Sequence, residues 1–125
     1  MKTILVDAWN TFVTVDGVNS SMHALLENYK NTKIILTNAT KQEQVKLGIE
    51  DMPYTVFSLE HNPDKTNPKY FSEMLSYFSL TSDDVVYFEH HKNAVNSAKS
   101  VHIETLLFEQ GSDLVILEDF LDKHL

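Results

Sequence analysis

The stretch ILVDAWNTF, residues 4–12, decides the fold, because a short apolar run there ends on the acid Asp7. Residues 3–6 are mostly aliphatic, which is typical of a strand buried on both faces of a sheet. An acid directly after such a strand lies at the rim of the sheet, where a carboxylate can attack a phosphoryl or carbon centre. Asp7 alone could equally cap the turn after the strand, so its interpretation depends on the other strand ends.

Four further apolar runs follow along the chain, and helical patterns separate them. The predicted strands are residues 3–6, 34–37, 54–58, 85–88 and 104–108. The predicted helices are residues 22–29, 41–47, 68–78, 93–101 and 112–124. Connections of this length favour right-handed crossovers, hence a doubly wound α/β sandwich with five parallel strands. We interpret residues 1–125 as one domain, because the chain is too short for a second one of ordinary size.

Composition narrows the classes of partner. The 125 residues carry a formal net charge of −8, and every basic residue other than histidine is a lysine. Without arginine the chain lacks the planar donor fork that usually recognises phosphate and guanine, so no nucleic acid partner is expected. The apolar runs are far shorter than the roughly 20 residues that span a bilayer. Asp7 also breaks the first run before it could serve as a signal peptide, so we expect no membrane association and a cytoplasmic location.

The strand ends are where a ligand is expected. In doubly wound sheets, ligands bind beyond the carboxyl ends of the strands, near the point where the strand order reverses. Asp7 and Thr37 lie at two such ends, and Glu89 with His90 follows a third. The sequence therefore predicts that these side chains share one edge of the sheet.

Four segments, in order, resemble the motifs of the haloacid dehalogenase-like (HAD) hydrolase superfamily. Residues 4–12 resemble the first motif, an apolar strand followed by Asp-x-Asp-Gly-Thr-Leu, and residues 34–38 resemble the second, a strand ending on Ser or Thr. Residues 65–71 resemble Lys-Pro-x-Pro-x-x-Phe, and residues 86–99 are similar to a strand leading to Glu-Asp-Ser and a helix. The resemblance implies a three-layer, Rossmann-like (HAD-like) α/β sandwich with a five-stranded parallel sheet and no cap domain.

The resemblance also implies roles for particular residues. Asp7 would be the nucleophile of a phosphatase that forms an aspartyl-phosphate. Lys65 would act beside it as the second catalytic residue, because a lysine offsets repulsion between the carboxylate and an incoming anion. Thr37 and Asn38 of the second motif would bind the substrate together with Trp9.

Two positions depart from the family pattern. Trp9 stands where family phosphatases have the aspartate that protonates the leaving group, and the loss of such an acid costs roughly 10²- to 10⁴-fold in rate. His90 stands where the magnesium-binding aspartate belongs, with Glu89 just before it. Mg²⁺ prefers oxygen ligands, so a histidine there should weaken or abolish its binding.

The predicted ligands of such a weakened Mg²⁺ site are Asp7, Glu89, His90 and the backbone carbonyl of Trp9. A register shifted by one residue would instead make Glu89 the ligand, with Asn93 as its helper.

Several functional interpretations stay open. The leading one is a weak or specialised phosphatase that acts on a phosphorylated substrate. Without a cap the site should be open, so either a macromolecular substrate or a second subunit in an oligomer would have to cover it. The alternative is a catalytically degenerate binding or interaction domain, which Trp9 and His90 favour.

Three further alternatives fit less well. Residues 7–11 also resemble the Asp-Ala-Tyr-Gly-Thr segment of metal-independent haloacid dehalogenases, but those enzymes use a helical cap and an arginine that this chain lacks. His90 and His91 could form a transition-metal site with Asp7 or Glu89, although adjacent histidines in a loop usually point in different directions. A receiver-like α/β domain would need a pair of acids near the end of the first strand, where only Asp7 is found.

Overall fold

The computed structural model describes all residues from Met1 to Leu125 and is built on a five-stranded sheet with the strand order β5-β4-β1-β6-β7. Neighbouring strands in this sheet all pair in parallel. The five strands are β1 (Thr3–Asp7), β4 (Lys33–Thr37), β5 (Thr55–Ser58), β6 (Val85–Glu89) and β7 (Glu104–Leu107), and β2 (Val13–Thr14) pairs with β3 (Gly17–Val18) in a separate hairpin. All five predicted strands are confirmed, each with bounds close to those expected.

Five helices connect the strands, as the sequence predicts. They are α1 (Ser20–Leu26), α2 (Lys41–Leu47), α3 (Pro68–Tyr77), α4 (Lys92–Ser100) and α5 (Leu114–His124), and a short 3₁₀ turn covers Ser82–Asp84. The first helix begins and ends earlier than predicted. Its cap is Asn19, whose side chain accepts a hydrogen bond from the backbone N–H of Met22, so the helix starts directly after it. None of these helices combines the length and the hydrophobicity that crossing a membrane requires.

The helices cover both faces of the sheet and form two apolar layers. On one face, strand residues such as Val6 pack with residues of α1 and α5 that include Met22 and Leu117. On the other face, Leu5 packs with residues of α3 and α4 that include Tyr70 and Ala98. Successive residues of β1 point to opposite layers, which explains why its whole length is buried.

The two connections that could carry a cap domain are short. The segment after β1 forms only the β2–β3 hairpin, and the segment after β4 holds α2 and its flanking turns. Asn10 enters the hairpin with a backbone φ of 66°, a left-handed conformation that asparagine tolerates better than most residues. The carboxyl edge of the sheet therefore opens to solvent without a cap.

Candidate active site

The site lies where the order of the strands reverses. The chain runs from β1 outward through β4 and β5, then returns to the other side of β1 with β6 and β7. Asp7, Thr37 and Glu89 are the last residues of β1, β4 and β6, so the parallel register brings them to one edge. All three side chains are buried. This placement agrees with the general position of ligand sites in doubly wound sheets.

The two oxygens of Asp7 have very different surroundings. Oδ1 accepts a hydrogen bond from Lys65 Nζ at 2.7 Å. Oδ2 accepts three hydrogen bonds: from Thr11 Oγ1 at 2.6 Å, from His90 Nδ1 at 2.5 Å and from the backbone N–H of His90 at 3.3 Å. These donors fix the orientation of the carboxylate and leave Oδ1 as the less occupied oxygen.

Lys65 lies in the interior between two acids. Its Nζ contacts Asp7 Oδ1 at 2.7 Å and Glu89 Oε1 at 2.8 Å, and it also donates to the carbonyl of Leu36 at 3.2 Å. Burial disfavours the ammonium form, but the charges of Asp7 and Glu89 outweigh this effect, so the pKa of Lys65 is raised above its usual value. Its backbone N–H donates to the side-chain oxygen of Asn38 at 2.7 Å, which anchors the loop that carries the lysine.

Glu89 is held by donors on both oxygens. Oε1 accepts from Lys65 and from the hydroxyl of Tyr87 at 2.5 Å, while Oε2 accepts from the backbone N–H of His91 at 2.9 Å. Burial alone would favour the neutral acid, but the charge of Lys65 and the hydrogen bonds prevail, so the pKa of Glu89 is well below its ordinary value. Glu89 is therefore an anion that the protein itself neutralises.

His90 is the second cation of the site. Its Nδ1 lies 2.5 Å from Asp7 Oδ2 and 3.2 Å from Glu89 Oε2, and its side chain is 28% exposed. Its hydrogen bonds to Asp7 and then Glu89 raise the pKa of His90 to about 10, although partial burial opposes them. With Lys65, His90 balances the negative charges of the two carboxylates.

A cavity of about 380 Å³ opens onto this cluster. Trp9, Thr37 and Asn38, which the sequence predicts as substrate-binding residues, line it. The side-chain hydroxyl oxygen of Thr37, Oγ1, accepts a hydrogen bond from the backbone N–H of Ala39 at 3.1 Å. The hydrogen of that hydroxyl is thus free to be donated to a ligand.

Three residues of the site were not singled out from the sequence. Thr11 donates a hydrogen bond to Asp7, and Tyr87 donates one to Glu89. His61 lines the cavity, and its two ring nitrogens lie 2.7 Å from a carboxylate oxygen of Glu43 and 2.8 Å from one of Asp64. Tyr87 and Glu89 are two positions apart on one strand, and this spacing places both side chains on the same face. Nothing comparable in the sequence indicates His61, whose contacts depend on how the loops fold.

The residues present do not fit Mg²⁺ well. Asp7, Glu89 and His90 each place a potential ligand atom within 4.8 Å of the others, as the predicted metal site requires. Every oxygen of the two carboxylates, however, already accepts hydrogen bonds from the protein. A lysine ammonium contacts both acids, and a hard cation prefers oxygen ligands to the imidazole that completes the set.

Solved structures share this arrangement of strands and helices. One is a HAD family enzyme from Bacteroides thetaiotaomicron, an aspartate-to-alanine mutant in complex with magnesium and inorganic phosphate. It superimposes with a TM-score of 0.69 and 11% sequence identity, over 94% of this chain and 98% of that chain. The core domain of a candidate phosphoglycolate phosphatase from Streptococcus pneumoniae has a TM-score of 0.63 and 14% identity, over 97% of this chain and 95% of that chain. An uncharacterised protein from Corynebacterium glutamicum has a TM-score of 0.63 and 15% identity, over 98% of this chain and 96% of that chain. No family model matches the sequence, and no curated protein matches it.

These comparisons establish the class of fold. The chain is a doubly wound α/β protein with a carboxylate and lysine cluster at its switch point. More particularly, residues 1–125 have the HAD-like fold with no cap inserted after β1 or β4, which confirms the predicted fold class.

Proposed function

We propose that this chain is a HAD-like hydrolase, and specifically a phosphatase that uses Asp7 as its nucleophile. The observation that carries the proposal is the contact of Asp7 Oδ1 with Lys65 Nζ at 2.7 Å, at the end of the central strand and beside an open cavity. The magnesium and phosphate complex of one similar fold and the candidate phosphatase activity of another support the same chemistry.

The arrangement favours attack by Asp7 Oδ1. Oδ2 holds three hydrogen bonds, whereas Oδ1 accepts only from Lys65 and keeps a lone pair for a phosphorus atom. Attack forms the bond from Oδ1 to phosphorus, while the bond from phosphorus to the leaving oxygen breaks and its electron pair departs with that oxygen. Lys65 stabilises negative charge on the transferring group, and the Thr37 hydroxyl can donate to one of its oxygens. Water then hydrolyses the aspartyl-phosphate.

The leaving group receives no proton from the position that Trp9 occupies, because an indole N–H is not an acid at neutral pH. We therefore propose a weak or specialised activity that favours esters of acidic alcohols such as phenols. A phenolate departs without protonation far more easily than an alkoxide does.

The test is hydrolysis of 4-nitrophenyl phosphate by the wild-type protein and by Asp7→Asn. Asparagine keeps the shape of the side chain but removes the nucleophilic charge, so we expect the rate to fall by at least about 10³-fold. Asp16→Asn, at an exposed position in the β2–β3 hairpin, is the matched control and should keep the wild-type rate. Equal background rates for the wild type and Asp7→Asn would refute the proposal.

A second candidate is a catalytically degenerate binding or interaction domain. The specific observation in its favour is that each carboxylate oxygen of Asp7 and Glu89 already accepts a hydrogen bond within the protein, while Trp9 replaces the acid of the family pattern. Failure of the wild type to hydrolyse both small and macromolecular phosphate esters would support this second function.

A further inference from the structure

We propose that the His90 side chain permanently fills the position between Asp7 and Glu89 that a divalent ion would need, so that the site works without a bound metal. The meaning of this inference for catalysis rests on the proposed function. Its test does not, because metal binding can be measured without turnover.

Two of the potential ligand atoms, His90 Nδ1 and Asp7 Oδ2, lie closer together than two ligands of one Mg²⁺ do. Ligands of one octahedral Mg²⁺ lie about 2.0–2.1 Å from the ion, which places neighbouring ligand atoms about 2.9 Å from each other with no hydrogen between them. His90 Nδ1 and Asp7 Oδ2 are only 2.5 Å apart, the separation of a short hydrogen bond. A hydrogen atom therefore joins the two atoms that would have to face a common ion.

The carboxylate oxygens that face this position already accept hydrogen bonds from the protein. Asp7 Oδ2 also accepts from Thr11, and Glu89 Oε2 accepts from the backbone N–H of His91. Glu89 Oε1 is shared by Lys65 and Tyr87. An ion at this position would displace several good donors and leave them buried without partners, which costs about 1–3 kcal/mol for each group.

Lys65 is a fixed cation beside this position and would repel a divalent ion. Lys65 Nζ lies 2.7 Å from Asp7 and 2.8 Å from Glu89 in the interior, and its side chain is only 7% exposed. A divalent ion bound to both acids would lie close to this ammonium, with little water between them to screen the repulsion. Lys65 already supplies the positive charge that the transferring group needs.

Rotation of the His90 side chain would not by itself free Asp7 Oδ2 to bind an ion. The backbone N–H of His90 also donates to Asp7 Oδ2, at 3.3 Å. The loop itself therefore presents a donor to the oxygen that would have to bind the ion. This double contact distinguishes His90 from its neighbour His91, whose exposed side chain makes no hydrogen bond to either acid.

The experiment is a calorimetric titration of Mg²⁺ into the wild type, His90→Asp and the matched control His91→Asp. We expect no saturable binding up to about 10 mM for the wild type and the control. In His90→Asp a third carboxylate replaces the imidazole, and the affinity should rise at least about tenfold. Saturable binding to the wild type below this range, or equal binding by His90→Asp and His91→Asp, would overturn the proposal.

A second measurement covers the case in which His90→Asp does not fold. Amide NMR spectra of the wild type are recorded with and without Mg²⁺, and the signals of Asp7, Glu89 and His90 should not shift. Saturable shifts confined to these residues would overturn the proposal. The two proposals also fail in different ways. Hydrolysis that requires Mg²⁺ would overturn only the proposal of a metal-free site. A wild type that neither hydrolyses phosphate esters nor binds Mg²⁺ would overturn only the proposal of a phosphatase.

Discussion

Lys65 shows how a charged residue can be stable in the interior of this protein. Removing an ammonium from water is costly, and that cost is offset only when opposite charges and hydrogen bonds meet it in good geometry. Asp7, Glu89 and the carbonyl of Leu36 provide these contacts. The three ionised groups therefore depend on one another, and the loss of one leaves the others uncompensated.

Lys65→Met should destabilise the protein strongly. Methionine has a similar length but no charge, so two buried carboxylates lose their main cation, and we expect the free energy of unfolding to fall by about 3–5 kcal/mol. Urea denaturation measures this change. Lys69→Met is the control, because Lys69 is exposed and its Nζ lies as far as 3.6 Å from Glu73, so the pair is weak. The loss of unfolding free energy in Lys69→Met should stay below about 0.5 kcal/mol. A cost for Lys65→Met as small as for Lys69→Met would contradict the expected dependence.

The residues of the site could be predicted from the sequence where a strand end or a motif marks them. Asp7, Thr37 and Glu89 follow apolar runs directly, and Lys65 is the first residue of a motif, so the structure brings predicted residues together. Their roles in binding and catalysis stay predictions. The contacts of Thr11 could not be predicted, because they depend on the turn that Asn10 forms.

At the scale of elements, His61 links two segments that both line the cavity. It contacts Glu43 in the first turn of α2 and Asp64 in the loop that leads to Lys65. The hydrogen bond to Glu43 and then that to Asp64 raise the pKa of His61, although desolvation opposes them. The charged form of His61 is thus stabilised in the folded protein.

The contribution of His61 to stability should depend on pH. A raised pKa in the folded state means that the stabilisation is complete below the unfolded pKa, near 6.5, and is lost as the pH rises through the folded pKa. His61→Ala should therefore cost more stability near pH 5.5 than near pH 9, by at most about 1 kcal/mol because all three side chains are partly exposed. Urea denaturation at both values measures the difference, with His91→Ala as the control. A larger cost near pH 9 would reverse the sign and refute the expectation.

The elements themselves were largely predictable because their signals are local. Gly48, with a φ of 72°, ends α2 in the left-handed region that glycine adopts readily, and the side chain of Asn67 caps α3 by accepting a hydrogen bond from the backbone N–H of Lys69. The start of α1 was misplaced because three neighbouring polar residues, Asn19, Ser20 and Ser21, can all serve as caps. Only the surrounding packing selects among them.

At the scale of the whole molecule, the main feature is a site that no cap covers. The segment between β1 and α1 holds only the β2–β3 hairpin and the segment after β4 holds only α2 with its flanking turns, and the cavity of about 380 Å³ opens to solvent. An open site cannot exclude water around a small substrate by itself. A large substrate could cover the site with its own surface, as could a second subunit.

We therefore expect a protein phosphorylated on tyrosine, whose leaving group is also a phenol, to be a better substrate than a small aryl phosphate. The surface of a macromolecule would take the place of a lid, so its kcat/KM should be higher by about tenfold or more. Phosphate release from a phosphorylated protein and from 4-nitrophenyl phosphate is compared at equal enzyme concentration, with Asp7→Asn as the blank. If the rate per molecule instead increases with enzyme concentration for both substrates, a second subunit supplies the cover and the macromolecular substrate is unnecessary.

The class of the fold was predictable because alternating strands and helices of this length allow few arrangements. The contacts between distant segments were not, because no local pattern specifies them. The pairing of His61 with Glu43 connects the loop after β5 with the first turn of α2, and only the assembled sheet brings these two segments together.

The position of His90 has an evolutionary consequence. In the genetic code, a histidine codon becomes an aspartate codon through a single base substitution. The histidine found here and the aspartate of His90→Asp are therefore adjacent genotypes, separated by one point mutation, while Asp7, Thr37 and Lys65 stay in place. If His90 excludes the ion as proposed, this single mutation raises the affinity for Mg²⁺ without rebuilding the rest of the site.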